Sequence, residues 1–269
     1  MEFNRGDPYD IPPHEIRLYY TCTDNLADTT LTDRYRERLS RTEARALGRM
    51  RSETRRTEFI VSRVLARQVL SRCCRIPPGA VRFEVNAHGK PELVPGLSDL
   101  PVRFNISHTR GLVAMAVTLG ADIGLDVEDR NRRINLRLAS RFFSAGEIDQ
   151  LERAADDERP ALFLEFWTLK EAFVKARGRG LAFGLDTFGF EFDGDVPRIA
   201  GTAGEYGGKT GWQFVKFDLL SRYTVAICRA SVVEKRPVVT THACVPFAAA
   251  RRIGQPEKGQ IRSITHDKE

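Results

Sequence analysis

The order of elements along the chain predicts an α+β protein of two halves that meet near residue 120. Two observations carry that expectation. Helix signals precede strand signals twice: apolar residues recur at helical spacing around 59–70 and again around 163–176, and short alternating segments follow each stretch. With 269 residues, 42% hydrophobic and 29% charged, the chain also has apolar content for one large core or two modest ones. No run approaches the roughly 20 consecutive apolar residues of a membrane span. The polar stretch Met1 to Pro13 lacks the apolar centre of a signal peptide, so a cytoplasmic location without a membrane partner is expected.

Residues 1–15 read as a polar lead-in, and Arg17 to Thr21 predicts a first strand. Thr32 or Asp33 is the expected cap of a helix running through Tyr35, Leu39 and Leu47. A second helix carries Phe59, Ile60, Val64, Leu65, Val69 and Leu70 on one stripe and stops at Pro77-Pro78-Gly79. Val81, Phe83 and Val85 alternate with polar residues, Ala87-His88-Gly89-Lys90 reads as a turn, and Phe104 and Ile106 alternate again. Leu112 to Leu119 is an apolar run suited to a buried strand, and Ile123, Leu125 and Val127 form the next alternating set.

A helical stretch spans about Asn135 to Phe143, and Ser144 with Glu147 three residues on is a capping box that opens another helix. Pro160 starts a long helix through Phe163, Phe166, Phe173 and Ala176, which Gly178 and Gly180 end. Phe188–Phe192, Trp212–Leu219 and Tyr223–Cys228 complete the set as antiparallel strands. After Ala230 the chain turns polar and irregular. The expected organisation is therefore an N-terminal half over 1–120, a C-terminal half over 121–232 and a loosely ordered tail over 233–269.

Charge is unevenly spread. The net formal charge is +6, yet Arg34 to Arg75 alone holds thirteen arginines, four glutamates and no lysine, a local surplus of nine. Such a patch suits a polyanion (nucleic acid, a phosphorylated cofactor or an acidic protein), and equally describes a solvated helix face. The five cysteines, Cys22, Cys73, Cys74, Cys228 and Cys244, are scattered and odd in number, which argues against a disulfide framework or a zinc site.

Four short patterns carry chemistry. In Gly124-Leu125-Asp126-Val127-Glu128, strand alternation turns Leu125 and Val127 to a core and places Asp126 and Glu128 together on the opposite face. Paired carboxylates repel unless a cation joins them, and magnesium favours such oxygen ligands. Alone, the pattern also fits an acidic strand edge. On the long helix, Trp167, Glu171 and Lys175 share one face, so Glu171 can add a third carboxylate, while Lys170 and Lys175 can neutralise phosphate oxygens. Alone, Glu171 and Lys175 also describe a surface ion pair. Phe104-Asn105-Ile106-Ser107-His108 puts a histidine at a strand end, able to donate to a phosphate; Ser107 and His108 point opposite ways and are no dyad. Gly89-Lys90-Pro91 is a turn presenting one lysine.

In this order and spacing, the patterns resemble the surfactin-type 4′-phosphopantetheinyl transferases. That family shows an arginine-rich helix, here around Arg55-Arg56 and Arg63, then G-K-P, F-N-(I/L)-S-H and G-(I/L)-D-(I/V)-E. Phe142-Phe143-Ser144-Ala145-Gly146-Glu147 and Trp167-Thr168-Leu169-Lys170-Glu171-Ala172-Phe173-Val174-Lys175 match its later blocks, so the resemblance runs over about residues 17–230.

The resemblance implies two similar α+β halves related by a pseudo-twofold, each like one subunit of the shorter holo-acyl-carrier-protein synthases. Coenzyme A would lie in the cleft between them. It implies that Asp126, Glu128 and Glu171 bind Mg2+, that Lys90, Ser107 and His108 hold the phosphates, and that Arg55, Arg56 and Arg63 flank them. Lys175 would assist the departing adenosine 3′,5′-bisphosphate. The general base would be Glu171 acting directly or Glu147 acting through a water, and the second partner an apo acyl or peptidyl carrier protein. A monomer is expected, because the two halves supply both walls of the cleft.

Other readings compete. A nucleotidyl transferase would be expected to carry a G-x-x-x-x-G-K-(S/T) loop, and none is found. A nucleic-acid-binding module would interleave aromatic residues with the arginines, where only Tyr35 and Phe59 occur. An inactive relative that only binds coenzyme A or the carrier would be expected to have lost a metal ligand, whereas all three are present.

Overall fold

The computed structural model of the protein describes residues 9–24, 26, 29–87, 89–178, 184–200, 211–231 and 236–246. The first half runs β1 (Glu15–Cys22), α1 (Thr29–Arg36), α2 (Arg41–Gly48), α3 (Glu53–Cys73), the short hairpin β2 (Phe83–Val85) and β3 (Pro91–Leu93), then β4 (Val102–Thr109) and β5 (Leu112–Leu119). The second runs β6 (Ile123–Asp129), α4 (Ala139–Phe142), α5 (Ala145–Arg153), α6 (Arg159–Arg177), the hairpin β7 (Gly189–Asp193) and β8 (Val196–Ala200), then β9 (Gly211–Leu219) and β10 (Tyr223–Ser231). A last strand, β11 (Val238–Ala243), follows.

Each half therefore threads strand, long helix, hairpin, strand, strand. The sheets repeat that order in space, β1-β5-β4 in one and β6-β10-β9 in the other, with every pair antiparallel. The twofold likeness that is faint in the residues is plain in the topology. Among the described residues no helix is long and apolar enough to cross a membrane.

Three apolar clusters stack these elements. One face of the first sheet (Tyr19, Val113, Met115, Val117, Phe104) packs on the α3 stripe of Ile60, Val64, Leu65 and Val69. Its other face (Ile16, Leu18, Ala114, Ala116) meets Leu125, Val127, Val225 and Ile227 of the second sheet. The outer face of the second sheet (Ala226, Cys228, Phe214) carries α6 through Phe166, Leu169, Ala172 and Phe173. The layers thus run helix, sheet, sheet, helix, and both sheets are covered on both faces. Cys73, Cys74, Cys228 and Cys244 are free and buried, and Cys22 is free and half-buried.

Two expectations change. The first predicted helix is two helices, because Ser40 breaks it and caps α2 in a reciprocal capping box with Glu43. The segment 233–269 is not uniformly a loose tail. β11 pairs in parallel with β1 from Glu15–Val238 to Tyr20–Ala243, and beyond it Thr21 Oγ1 donates to Cys244 O at 2.7 Å. The C-terminal strand therefore belongs to the sheet of the first half.

The contact that sets the second half is α6 on β6. A Cβ on Gly124 would fall 1.9 Å from Ala172 O and 2.4 Å from Ala176 N, so the helix backbone rests directly on the strand and only glycine fits. The helix ends as expected, at Gly178 in the left-handed region.

Lys170 and Glu147, expected to bind phosphate and to act as a base, lie instead in the core of this half. Both side chains are fully buried, with Lys170 Nζ 2.7 Å from Glu147 Oε2. The ammonium also donates to Leu185 O at 2.7 Å and to Phe188 O, so its three donors have three acceptors. Glu147 accepts from Ser144 N and Phe190 N. Burial pushes the lysine down and the carboxyl up, each opposed by the other's charge. The pair pins α5, α6 and the 185–190 segment together and touches no cleft.

Two outcomes follow for stability. Gly124→Ala is expected to lose about 3 kcal/mol in urea unfolding, whereas Gly146→Ala, whose added Cβ meets nothing within 4 Å, is expected to stay within about 0.5 kcal/mol of the parent. Glu147→Gln strands a buried ammonium and is expected to lower stability by about 3–5 kcal/mol in the same assay, the range for a broken buried ion pair.

Candidate active site

Strand alternation divides the Phe104–Thr109 segment into two working faces. Phe104 and Ile106 pack toward α3, while Asn105, Ser107 and Thr109 face β6 of the other half. No backbone ladder joins β4 to β6; three side chains do it instead. Asn105 Oδ1 accepts from Leu125 N at 2.9 Å, Ser107 Oγ donates to Asp126 Oδ1 at 2.9 Å, and Thr109 Oγ1 accepts from Asp129 N at 3.3 Å. This seam aligns the two halves residue for residue.

The carboxylates gather beside it. Gly124 seats α6 on β6, so Glu171 and Lys175 come to the face of Asp126 and Glu128. Lys175 Nζ lies 2.6 Å from Asp126 Oδ1 and 3.1 Å from Ser107 Oγ. Arg132 Nη1 lies 2.5 Å from Glu128 Oε1. Burial first, then the charge on Asp126, pushes the Glu171 carboxyl up to about 7, with Lys175 opposing. Burial and Asp126 also raise Glu128, against the pull of Arg132.

Above this, His108 reaches from the end of β4 toward α3. Its Nδ1 is 3.3 Å from Glu58 Oε2, which orients the half-exposed ring over a buried carboxylate raised by burial. Burial lowers the His108 pKa, with Lys175, Arg55 and Arg63 adding to the fall and Asp126 opposing it. Arg55 is exposed, and Arg63 lies over the Phe59 ring with Glu43 at 3.8 Å.

The remaining expected residues stand elsewhere. Arg56 does not face His108: it donates to Leu47 O and Met50 O and pairs with Glu53, closing the turn between α2 and α3. Lys90 sits by the C-terminal end of α6, donating to Ile123 O at 3.0 Å and Ala176 O at 3.4 Å, so it ties the β2–β3 hairpin to the second half. Lys170 and Glu147 are in the core, as described. Asn105 and Thr109, given no role from the sequence, share the face of Ser107, as period-two alternation implies. Glu58 and Arg132 gave no such signal.

The donor set suits a hard divalent cation. Asp126 Oδ2 is buried and has no hydrogen-bond partner among the described residues, next to two carboxyl groups whose ionisation it opposes. No group of three His, Cys, Asp or Glu side chains among the described residues is already drawn together as a metal cage. Lys175 and Arg132 hold the two strand carboxylates instead.

Comparison with known proteins assigns the chain to a family. Residues 122–228 match the 4′-phosphopantetheinyl transferase superfamily, and residues 32–119 match the 4′-phosphopantetheinyl transferase N-terminal family. The boundary between them falls at the turn from β5 to β6. The 4′-phosphopantetheinyl transferase ffp of Bacillus subtilis is 30% identical over 216 residues, 80% of this chain and 92% of that protein. The 4′-phosphopantetheinyl transferase Sfp of B. subtilis is 38% identical over 135 residues, 49% of this chain and 58% of its own length. HetI of Nostoc sp., also a 4′-phosphopantetheinyl transferase, is 34% identical over 128 residues, 47% and 54% of the two chains. The chain thus spans a little over half the length of the last two relatives and nearly all of the first. On both family models and the near-complete match to ffp, the chain belongs to the 4′-phosphopantetheinyl transferase superfamily.

Proposed function

We propose that this chain transfers the 4′-phosphopantetheine arm of coenzyme A to a serine of an acyl or peptidyl carrier protein, with Mg2+ as cofactor. The observation that carries the reading is the meeting of Asp126, Glu128, Glu171 and Lys175 with His108, Arg55 and Arg63 where β4, β6, α3 and α6 come together. Carboxylates for a divalent cation and cations for phosphates side by side are what cleavage of a pyrophosphate requires.

Asp126, Glu128 and Glu171 would hold the metal, which when bound supplies Lewis-acid neutralisation of pyrophosphate charge. The chain's own residues do the rest. His108, with its ring set by Glu58, and the guanidinium groups of Arg55 and Arg63 bind the phosphates and orient the cofactor. The carrier serine Oγ attacks the phosphorus on the pantetheine side. The bond from that phosphorus to the bridging oxygen breaks, and adenosine 3′,5′-bisphosphate leaves with the bond's electron pair. Lys175, 3.1 Å from Ser107 Oγ on the same face, stabilises the charge on that leaving phosphate.

The serine proton goes to a carboxylate. Glu147 is sealed in the core with Lys170, which leaves Glu171, on the face of Asp126 and Lys175, to accept it. The exposed arginines of α2, the turn after it and the N-terminal end of α3, among them Arg41, Arg45, Arg49, Arg51 and Arg55, favour approach of an acidic carrier.

Intact-protein mass spectrometry of an apo carrier protein incubated with the chain, coenzyme A and Mg2+ tests the reading. A mass gain of one phosphopantetheine, abolished by EDTA, is expected. Asp126→Asn and Glu171→Gln are each expected to cut kcat/KM about a hundredfold or more. No gain on acyl, polyketide or peptidyl carriers from folded protein that binds coenzyme A would point to a binder without transferase activity.

A further inference from the structure

Each carboxylate of β6 meets a cation supplied by the chain itself. Lys175 faces Asp126 from α6, and Arg132 faces Glu128 from the turn after the strand. That turn is built by Asp129: Asn131 N donates to Asp129 Oδ1 at 3.0 Å, and Arg132 N donates to Asp129 O at 3.0 Å. Asp129 is itself fixed by Arg222, whose Nη2 lies 2.8 Å from Asp129 Oδ2 and whose Nη1 lies 2.9 Å from Asp24. The chain is thereby folded back so that the Arg132 guanidinium lies over Glu128.

The two partners differ in freedom. The Arg132 side chain is 41% exposed, while Glu128 is 13% exposed. The guanidinium can turn into solvent; the carboxylate cannot leave the strand face. A guanidinium held on one oxygen of a partly buried carboxylate weakens that carboxylate's attraction for a divalent cation at the other. Asp126 Oδ2, buried and without a hydrogen-bond donor among the described residues, marks where positive charge is still wanted.

We infer that Arg132 is the internal counter-ion of the metal site: it pairs with Glu128 and competes electrostatically with a divalent cation for that carboxylate. Arg132 is a positioning residue in this account, setting metal affinity through Glu128. The inference rests on the proposed metal role of Asp126, Glu128 and Glu171, and its test separates the two.

The test titrates Mn2+ into the full-length chain without coenzyme A and reads free ion by electron paramagnetic resonance. Arg132→Gln is expected to tighten the Kd about twofold to fivefold, the span that a partly exposed ion pair allows. Arg132→Ala repeats the test with a different side chain. Arg133→Gln removes the same charge from the exposed neighbour and is expected to shift the Kd less. Unchanged or weaker binding in both Arg132 variants, or an equal gain in Arg133→Gln, overturns the inference and leaves the metal site standing. If Asp126→Asn and Glu171→Gln both bind Mn2+ as the parent does, the metal reading fails and the Arg132 inference fails with it.

Discussion

The close seating of α6 on β6 is the constraint on which the site depends. Gly124 has its missing side chain where the Ala172 carbonyl and Ala176 amide lie, so strand and helix touch backbone to backbone. At that separation the short side chain of Asp126 reaches Lys175 at 2.6 Å, and burial of Glu171 beside Asp126 pushes its carboxyl up to about 7. A bulkier residue at 124 would move the helix outward and take Glu171 and Lys175 with it. The glycine of the G-x-D-x-E pattern is therefore a packing residue with a chemical consequence.

The second constraint is the seam between halves. Asn105, Ser107 and Thr109 substitute for a backbone ladder and join β4 of one half to β6 of the other. The two faces of a single strand then serve different ends. One face registers the halves and touches Asp126; the other sends His108 to Glu58 and the arginines of α3. The cationic groups around His108 from the first half and the carboxylates of the second are held against each other by three hydrogen bonds, one of which, from Ser107, also fixes Asp126.

Much of this was legible in the sequence because alternation and periodicity report faces. The opposed directions of Ser107 and His108, the shared face of Asp126 and Glu128, and the Ser144–Glu147 capping box all follow from local geometry. What was not legible depended on tertiary packing. Lys170 and Glu147 carry charge in motifs full of working residues, yet they pair in the core, where burial outweighs the usual exposure of such groups. The α1–α2 break at Ser40 is a cap that helix periodicity overrode. β11 was hidden because its pairing with β1 is more than 200 residues distant in sequence. Arg56 and Arg55 are adjacent in the chain and differ only in which way the helix turns them, so their register needed coordinates.

The measurement that tests the central claim most directly is a crystal structure of the chain with Mn2+ and coenzyme A, read by anomalous scattering. The account predicts a single strong peak against Asp126 Oδ2, with Glu128 and Glu171 turned toward it and the cofactor phosphates between it and His108. A peak away from the β6–α6 face, or phosphates bound with Asp126 still paired to Lys175 and no metal present, would contradict it.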